Sequence, residues 1–142
     1  MAYKIFIPRD SSSISLGADK VYQEILNESK KRNIDVEIVR NGSRGLFWLE
    51  PMVEVETLNG RVAYGPVTIS DINSLFDSEF FLGNKHKLFL GITEDIKWLK
   101  NQERLTYARV GITDPLNIED YERLDGFKGL KNALKLSPEK IV

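Results

Sequence analysis

Residues 3–39, YKIFIPRDSSSISLGADKVYQEILNESKKRNIDVEIV, decide the fold. Tyr3 to Ile7 is a short β-branched and aromatic run that Pro8 ends, the mark of a strand. A polar loop with Ser11, Ser12 and Ser13 at its centre follows. Ala18, Val21, Tyr22, Ile25, Leu26 and Ser29 then recur at the spacing of one apolar helix face. Lys30, Lys31 and Arg32 place cations at the negative end of the helix dipole, and Asn33 suits a left-handed cap. Asp35 to Val39 alternates and reads as a second strand. Strand, helix and strand joined by short links form a βαβ unit, so the two strands should be parallel.

After the turn-rich NGSRG (residues 41–45), Pro51 to Val67 reads as a hairpin. Val53, Val55 and Thr57 face one way, and Glu54 and Glu56 face the other, the pattern of one buried and one wet side. Asn59-Gly60 predicts a tight primed turn, and Arg61 to Tyr64 returns. Thr68 or Ser70 can cap a helix whose face is Ile72, Leu75, Phe76 and Phe80. The order β-α-β-β-β-α, a parallel pair followed by a hairpin, predicts an α/β thioredoxin-like sandwich with a partly helical C-terminal extension. In that extension short helices are expected at Glu94–Asn101 and Lys128–Leu134. Ser137-Pro138-Glu139 opens another, with proline at the first helical position.

The chain has 142 residues, 42% of them hydrophobic, enough for one sizeable core. Its 20 basic and 21 acidic residues leave a formal charge of -1, so no long-range field draws it onto nucleic acid or an anionic membrane. No apolar stretch approaches the ~20 residues that span a bilayer. The start lacks a signal-peptide pattern. A cytoplasmic, soluble protein is expected. Cysteine is absent, which removes disulfides, thiol redox catalysis, iron–sulfur ligation and cysteine zinc sites together.

Three stretches carry a family resemblance: RNGSRGLFWLEPMVEVETLNGRVAYGPVT (Arg40–Thr68), LGITEDIKWLKNQERLTYARVGITDPL (Leu90–Leu116) and DYERLDGFKGLKNALKLSPEKIV (Asp120–Val142). They resemble the flavoprotein (beta) subunit of cytosolic NAD-dependent formate dehydrogenase, a diaphorase related to the NADH-binding flavoprotein subunit of respiratory complex I. The resemblance implies an oxidoreductase subunit that passes electrons between NAD, FMN and iron–sulfur clusters, with other formate dehydrogenase subunits as partners. It divides the chain into a thioredoxin-like domain without cluster cysteines (1–91), a linker (92–117) and the start of a flavin/NADH-binding domain (118–142). No residue here matches a catalytic, FMN-binding or NAD-binding position of the family, so no cofactor is expected in this chain and its implied role is assembly. The alternative is a free-standing thioredoxin-like module that binds protein or a small anion.

The resemblance also implies where a two-iron cluster sits in related subunits: in the loops after the first two strands. Ser43 and Phe47 stand where the second pair of thiolates would be needed, so the site reads as dismantled. Phe47 or Trp48 is expected to fill the vacated volume, one pointing inward and the other out, with Leu46 or Leu16 nearby. Arg40, Ser43 and Arg44 with Gly42 and Gly45 offer an anion-binding turn. The blander reading is a glycine-shaped connection with solvated arginines, favoured because no lysine and helix follow. Trp48 is a candidate docking anchor, and Trp98 can pack the extension onto the domain. His86, flanked by Lys85 and Lys87, reads as an exposed loop residue whose charged form the lysines disfavour. Glu54 and Glu56 read as solvated.

Overall fold

The computed structural model describes residues 2–141. Strand β1 (Tyr3–Phe6) is followed by a short helix α1 (Ser11–Ser15), the long helix α2 (Ala18–Arg32) and strand β2 (Val36–Val39). The hairpin strands are β3 (Val53–Thr57) and β4 (Gly60–Tyr64), and then come helix α3 (Ile72–Asp77) and a fifth strand, β5 (Phe89–Ile92). The sheet order is β2-β1-β3-β4-β5, with β1 and β2 parallel and every other pair antiparallel. Parallel pair and hairpin thus stand as expected. β5 was not legible, because Gly91 interrupts its alternation and offers no side chain to pack.

Helix α2 buries Ala18, Val21, Ile25 and Ser29, and Asn33 closes it in a left-handed conformation with its amide on the Lys30 carbonyl. Helix α3 is entered through a capping box in which Thr68 and Asp71 bond each other's backbone and side chain. Both helices cover one face of the sheet. Ile5, Val53, Val55 and Tyr64 of the strands, and Ile7 just past β1, pack there with Ile72, Leu75, Phe76 and Phe80. The hairpin turn departs from expectation. Asn59 does not adopt a positive φ; Gly60 does, at +109°, so the left-handed residue closes the turn instead of filling its centre.

The second face of the sheet is the surprise. Phe6 and Ala63 flank Glu54 across the strands, and the chain beyond β5 folds back over them. Helix α4 (Lys97–Lys100) contributes Leu99 to a second, smaller apolar cluster with Leu46, Met52 and Ala63. The expected boundary after residue 91 falls inside β5, and the segment beyond it supplies the buried Thr93 and Leu99.

Helices α5 (Ile118–Arg123), α6 (Lys128–Ala133) and α7 (Pro138–Ile141) complete the described chain. None has a buried residue within its span, and Leu116, Leu130 and Leu134 are 74%, 55% and 77% exposed. Amides from 116 to 141 are therefore expected to exchange much faster than those of α2, because little burial opposes opening. Exchange as slow there as in α2 would contradict this. No helix among the described residues is long and apolar enough to cross a membrane.

Candidate functional site

Parallel pairing carries the loops after β1 and β2 to the same end of the sheet, and backbone bonds continue past the strands, from the Ile7 amide to the Val39 carbonyl (3.0 Å) and from Arg9 to Asn41 (2.9 Å). Arg40 brackets this end. It donates to the carbonyls of Ile7 and Pro8 (both 3.2 Å) and to Asp19 of α2 (2.6 Å), and it lies 4.8 Å from the Tyr22 ring. Its Nε and Nη2 donors are thus held within the fold.

The Ser43 hydroxyl donates to Glu50 (2.7 Å) and accepts the Gly45 amide (2.9 Å), while the other Glu50 oxygen accepts the Met52 amide (2.9 Å). On the β1 side, Asp10 accepts from the hydroxyls of Ser12 and Ser13 and from the Ser13 amide. Burial works to raise the Asp10 value, but those bonds outweigh it and hold the carboxyl below its usual range. Glu50 goes the other way: burial raises its pKa, with the Met52 amide and Ser43 only partly opposing. The folded protein therefore binds the Glu50 proton more tightly than the unfolded chain does. The resulting stabilisation is complete below about pH 4, the ordinary glutamate range, and is lost as pH rises through the raised value. The stability of wild type relative to Glu50→Gln should decline over that interval. A difference independent of pH would refute the assignment.

Leu46, not an aromatic residue, fills the space beneath this loop; it is fully buried. Phe47 and Trp48 are both 59% exposed, which overturns the expectation that one points inward. The reason is local. Residues Phe47–Leu49 form a 3-10 turn, so successive side chains fan out by roughly a third of a turn instead of alternating. Trp48 meets Trp98 of α4 edge to face at 5.6 Å, and Trp98 is itself 58% exposed. A cleft of about 580 Å³ opens next to Phe47, between residues 43–47 and residues 102–110.

Arg44 and Glu54 also depart from expectation. Neither is solvated: their side chains are 4% and 1% exposed. Glu54 accepts from Arg44 Nε (3.1 Å) and Nη2 (3.0 Å), from Asn41 (3.2 Å) and from Arg61 (3.4 Å). Arg44 reaches outward to Glu94 (2.9 Å). Arg61 stacks 3.3 Å from the Phe6 ring centroid; burial lowers its pKa, against the pull of Glu54. Glu56 remains exposed as expected. In the assembled sheet Glu54 sits between Phe6 of β1 and Ala63 of β4, neighbours that do not suit a wet face, but the β1–β3 pairing that brings Phe6 there is long-range and not legible in the sequence.

His86 is half-buried, a correction to the exposed-loop reading. Ser74 bonds its Nε2 (3.0 Å), and the Leu88 amide donates to its Nδ1 (3.2 Å). Burial first and Lys87 second lower its pKa, in the direction expected from the flanking lysines. Among the described residues no group of three or more His, Asp or Glu side chains is placed to hold a metal ion.

Solved structures share this architecture. A thioredoxin-like 2Fe–2S ferredoxin from Aquifex aeolicus superimposes with a TM-score of 0.51 at 18% identity, over 63% of this chain and 97% of the ferredoxin. A second structure described in the same terms, from the same organism, gives 0.52 at 18% identity over 63% and 91%. The fold is thioredoxin-like. A cysteine-to-serine variant of the ferredoxin matches at 20% identity, with a TM-score of 0.51 over 63% of this chain and 98% of the variant. No protein-family model and no curated protein sequence matches the chain. The residues at the loop end do not fit a two-iron cluster. Its donors are hydroxyls and carboxylates already bonded to one another and to the backbone, and Phe47 offers no ligand atom.

Proposed function

We propose that this chain is a non-catalytic thioredoxin-like domain of the diaphorase (beta) subunit of an NAD-dependent formate dehydrogenase, serving subunit assembly. The observation that carries the reading is the exposed aromatic group formed by Phe47 and Trp48 of the loop end and Trp98 of α4, beside a loop in which Ser43 and Glu50 are bonded to each other and to the backbone. Large aromatic side chains anchored on rigid backbone are the usual centres of protein interfaces, and apolar patches of this kind on a surface mark interaction sites. The three stretches of resemblance support the same family of partners. The structural neighbours are 2Fe–2S ferredoxins; in this reading the loop end of this chain serves contact, not electron transfer. In the full-length subunit FMN, NAD and iron–sulfur clusters would be bound elsewhere.

Two measurements test this. Purified chain should be colourless, without flavin or iron–sulfur absorption; stoichiometric iron with a cluster spectrum would overturn it. Tagged chain retrieved from native lysate should bring formate dehydrogenase subunits with it, and Trp48→Ala should lose them. Recovery of unrelated partners, or none, would remove the formate dehydrogenase assignment.

A further inference from the structure

From Gln102 to Val110 the chain crosses the loop end without burying an apolar side chain. Leu105 is 90% exposed, Tyr107 69% and Val110 45%. Polar contacts to the main chain hold the segment instead. Asn41 donates to the Gly111 carbonyl (2.8 Å), Arg61 to the carbonyls of Ile112 (2.8 Å) and Gly111 (3.4 Å), and Arg104 back to the carbonyl of Arg44 (2.9 Å). Gly111 is the seat of this attachment. Its φ is +77°, and a Cβ there would lie 2.5 Å from Arg44 Cδ and 2.9 Å from the Ser43 carbonyl oxygen.

We propose that residues 102–112 are a latched strap that opens independently of the helix-covered core. Closed, the strap forms one wall of the cleft beside Phe47 and screens Glu54, Arg44 and Arg61 from water. Open, it dismantles that wall and wets the three charges, while the core beneath α2 and α3 keeps its packing. Segments held by few contacts and little buried apolar area populate such local openings. Resting on the docking role given above, the strap also couples to partner binding. A partner seated on Phe47 and the cleft wall binds the closed form, and by linkage its binding must favour closure.

The test is peptide-resolved hydrogen exchange on the full chain, wild type against Gly111→Ala. Alanine strains the left-handed backbone and collides with Ser43. Amides of 102–112 should exchange faster by about tenfold or more, while those of β1 and α2 stay within about twofold. Unchanged exchange in the strap overturns the latch. Equal acceleration in α2 also overturns it, because the strap would then belong to one cooperative unit. Arg104→Ala, which removes the contact to the Arg44 carbonyl together with the bonds to Gln102 and Val110 inside the strap, applies the same criteria should Gly111→Ala fail to fold. Coupling is read separately, as reduced recovery of partners from native lysate by tagged Gly111→Ala. Wild-type chain that recovers no partner defeats the docking role and leaves the strap to be judged by exchange. Local opening with undiminished recovery defeats the coupling.

Discussion

Leu46→Ala should destabilise the protein by about 2–5 kcal/mol, whereas Phe47→Ala and Trp48→Ala should each cost less than about 1 kcal/mol. The asymmetry follows from burial. Leu46 is fully enclosed and packs with Met52, Ala63 and Leu99, so truncation leaves a cavity between the sheet and α4. The two aromatic rings already lie mostly in water, and removing them forfeits little burial. Against a typical stability of about 5–15 kcal/mol, the Leu46 loss is a large share. Denaturant midpoints of the three variants, taken with their slopes, decide the matter. A large loss from either aromatic variant would mean that it plugs the loop end after all. A loss under about 1 kcal/mol from Leu46→Ala would mean that the second cluster adds little to stability.

Glu54→Ala should cost about 3–5 kcal/mol, the range for removing one partner from a buried ion pair. The effect arises less from the attraction lost than from the charges left behind. Arg44 and Arg61, with side chains 4% and 15% exposed, would face each other without their carboxylate. Glu94 can still hold the outer nitrogen of Arg44, but its own side chain is 67% exposed and screened by water. Replacing Glu54 and Arg44 together by leucine and methionine should recover part of the loss, since the desolvation cost of both charges then disappears. Because the group is enclosed, the Glu54→Ala loss should change little with added salt. A loss below about 1 kcal/mol, or one that salt abolishes, would show the network to be solvated.

The same two sites mark the limit of inference from pattern. Alternation along VEVET assigns Glu54 to the side opposite the α2 and α3 packing, and that assignment is right. What alternation cannot say is whether that side meets water. The cover comes from Thr93, Leu99 and Gly111, which lie about forty to sixty residues away, beyond the reach of any local pattern. Phe47 and Trp48 failed for a different reason. The inward–outward rule presumes extended backbone, and these residues sit in a 3-10 turn. Spacing marks Leu46 only as a neighbour of the aromatic pair, although the deepest position of the loop is its own.

The sequence by itself determined the elements whose signal is local. Strand β1, the amphipathic α2 with its Asn33 cap, the parallel β2, the hairpin and the capped α3 all rest on periodicity and capping chemistry within a few residues. It also determined that no thiolate stands at the loop end, since composition alone decides that. Tertiary structure alone decided that β5 adds to the sheet edge, that the second face is covered, and that Arg44, Glu54 and Arg61 meet in one buried network. Each of these depends on contacts between residues far apart in the chain, whose burial and pairing energies are set by the assembled fold and leave no trace in local spacing.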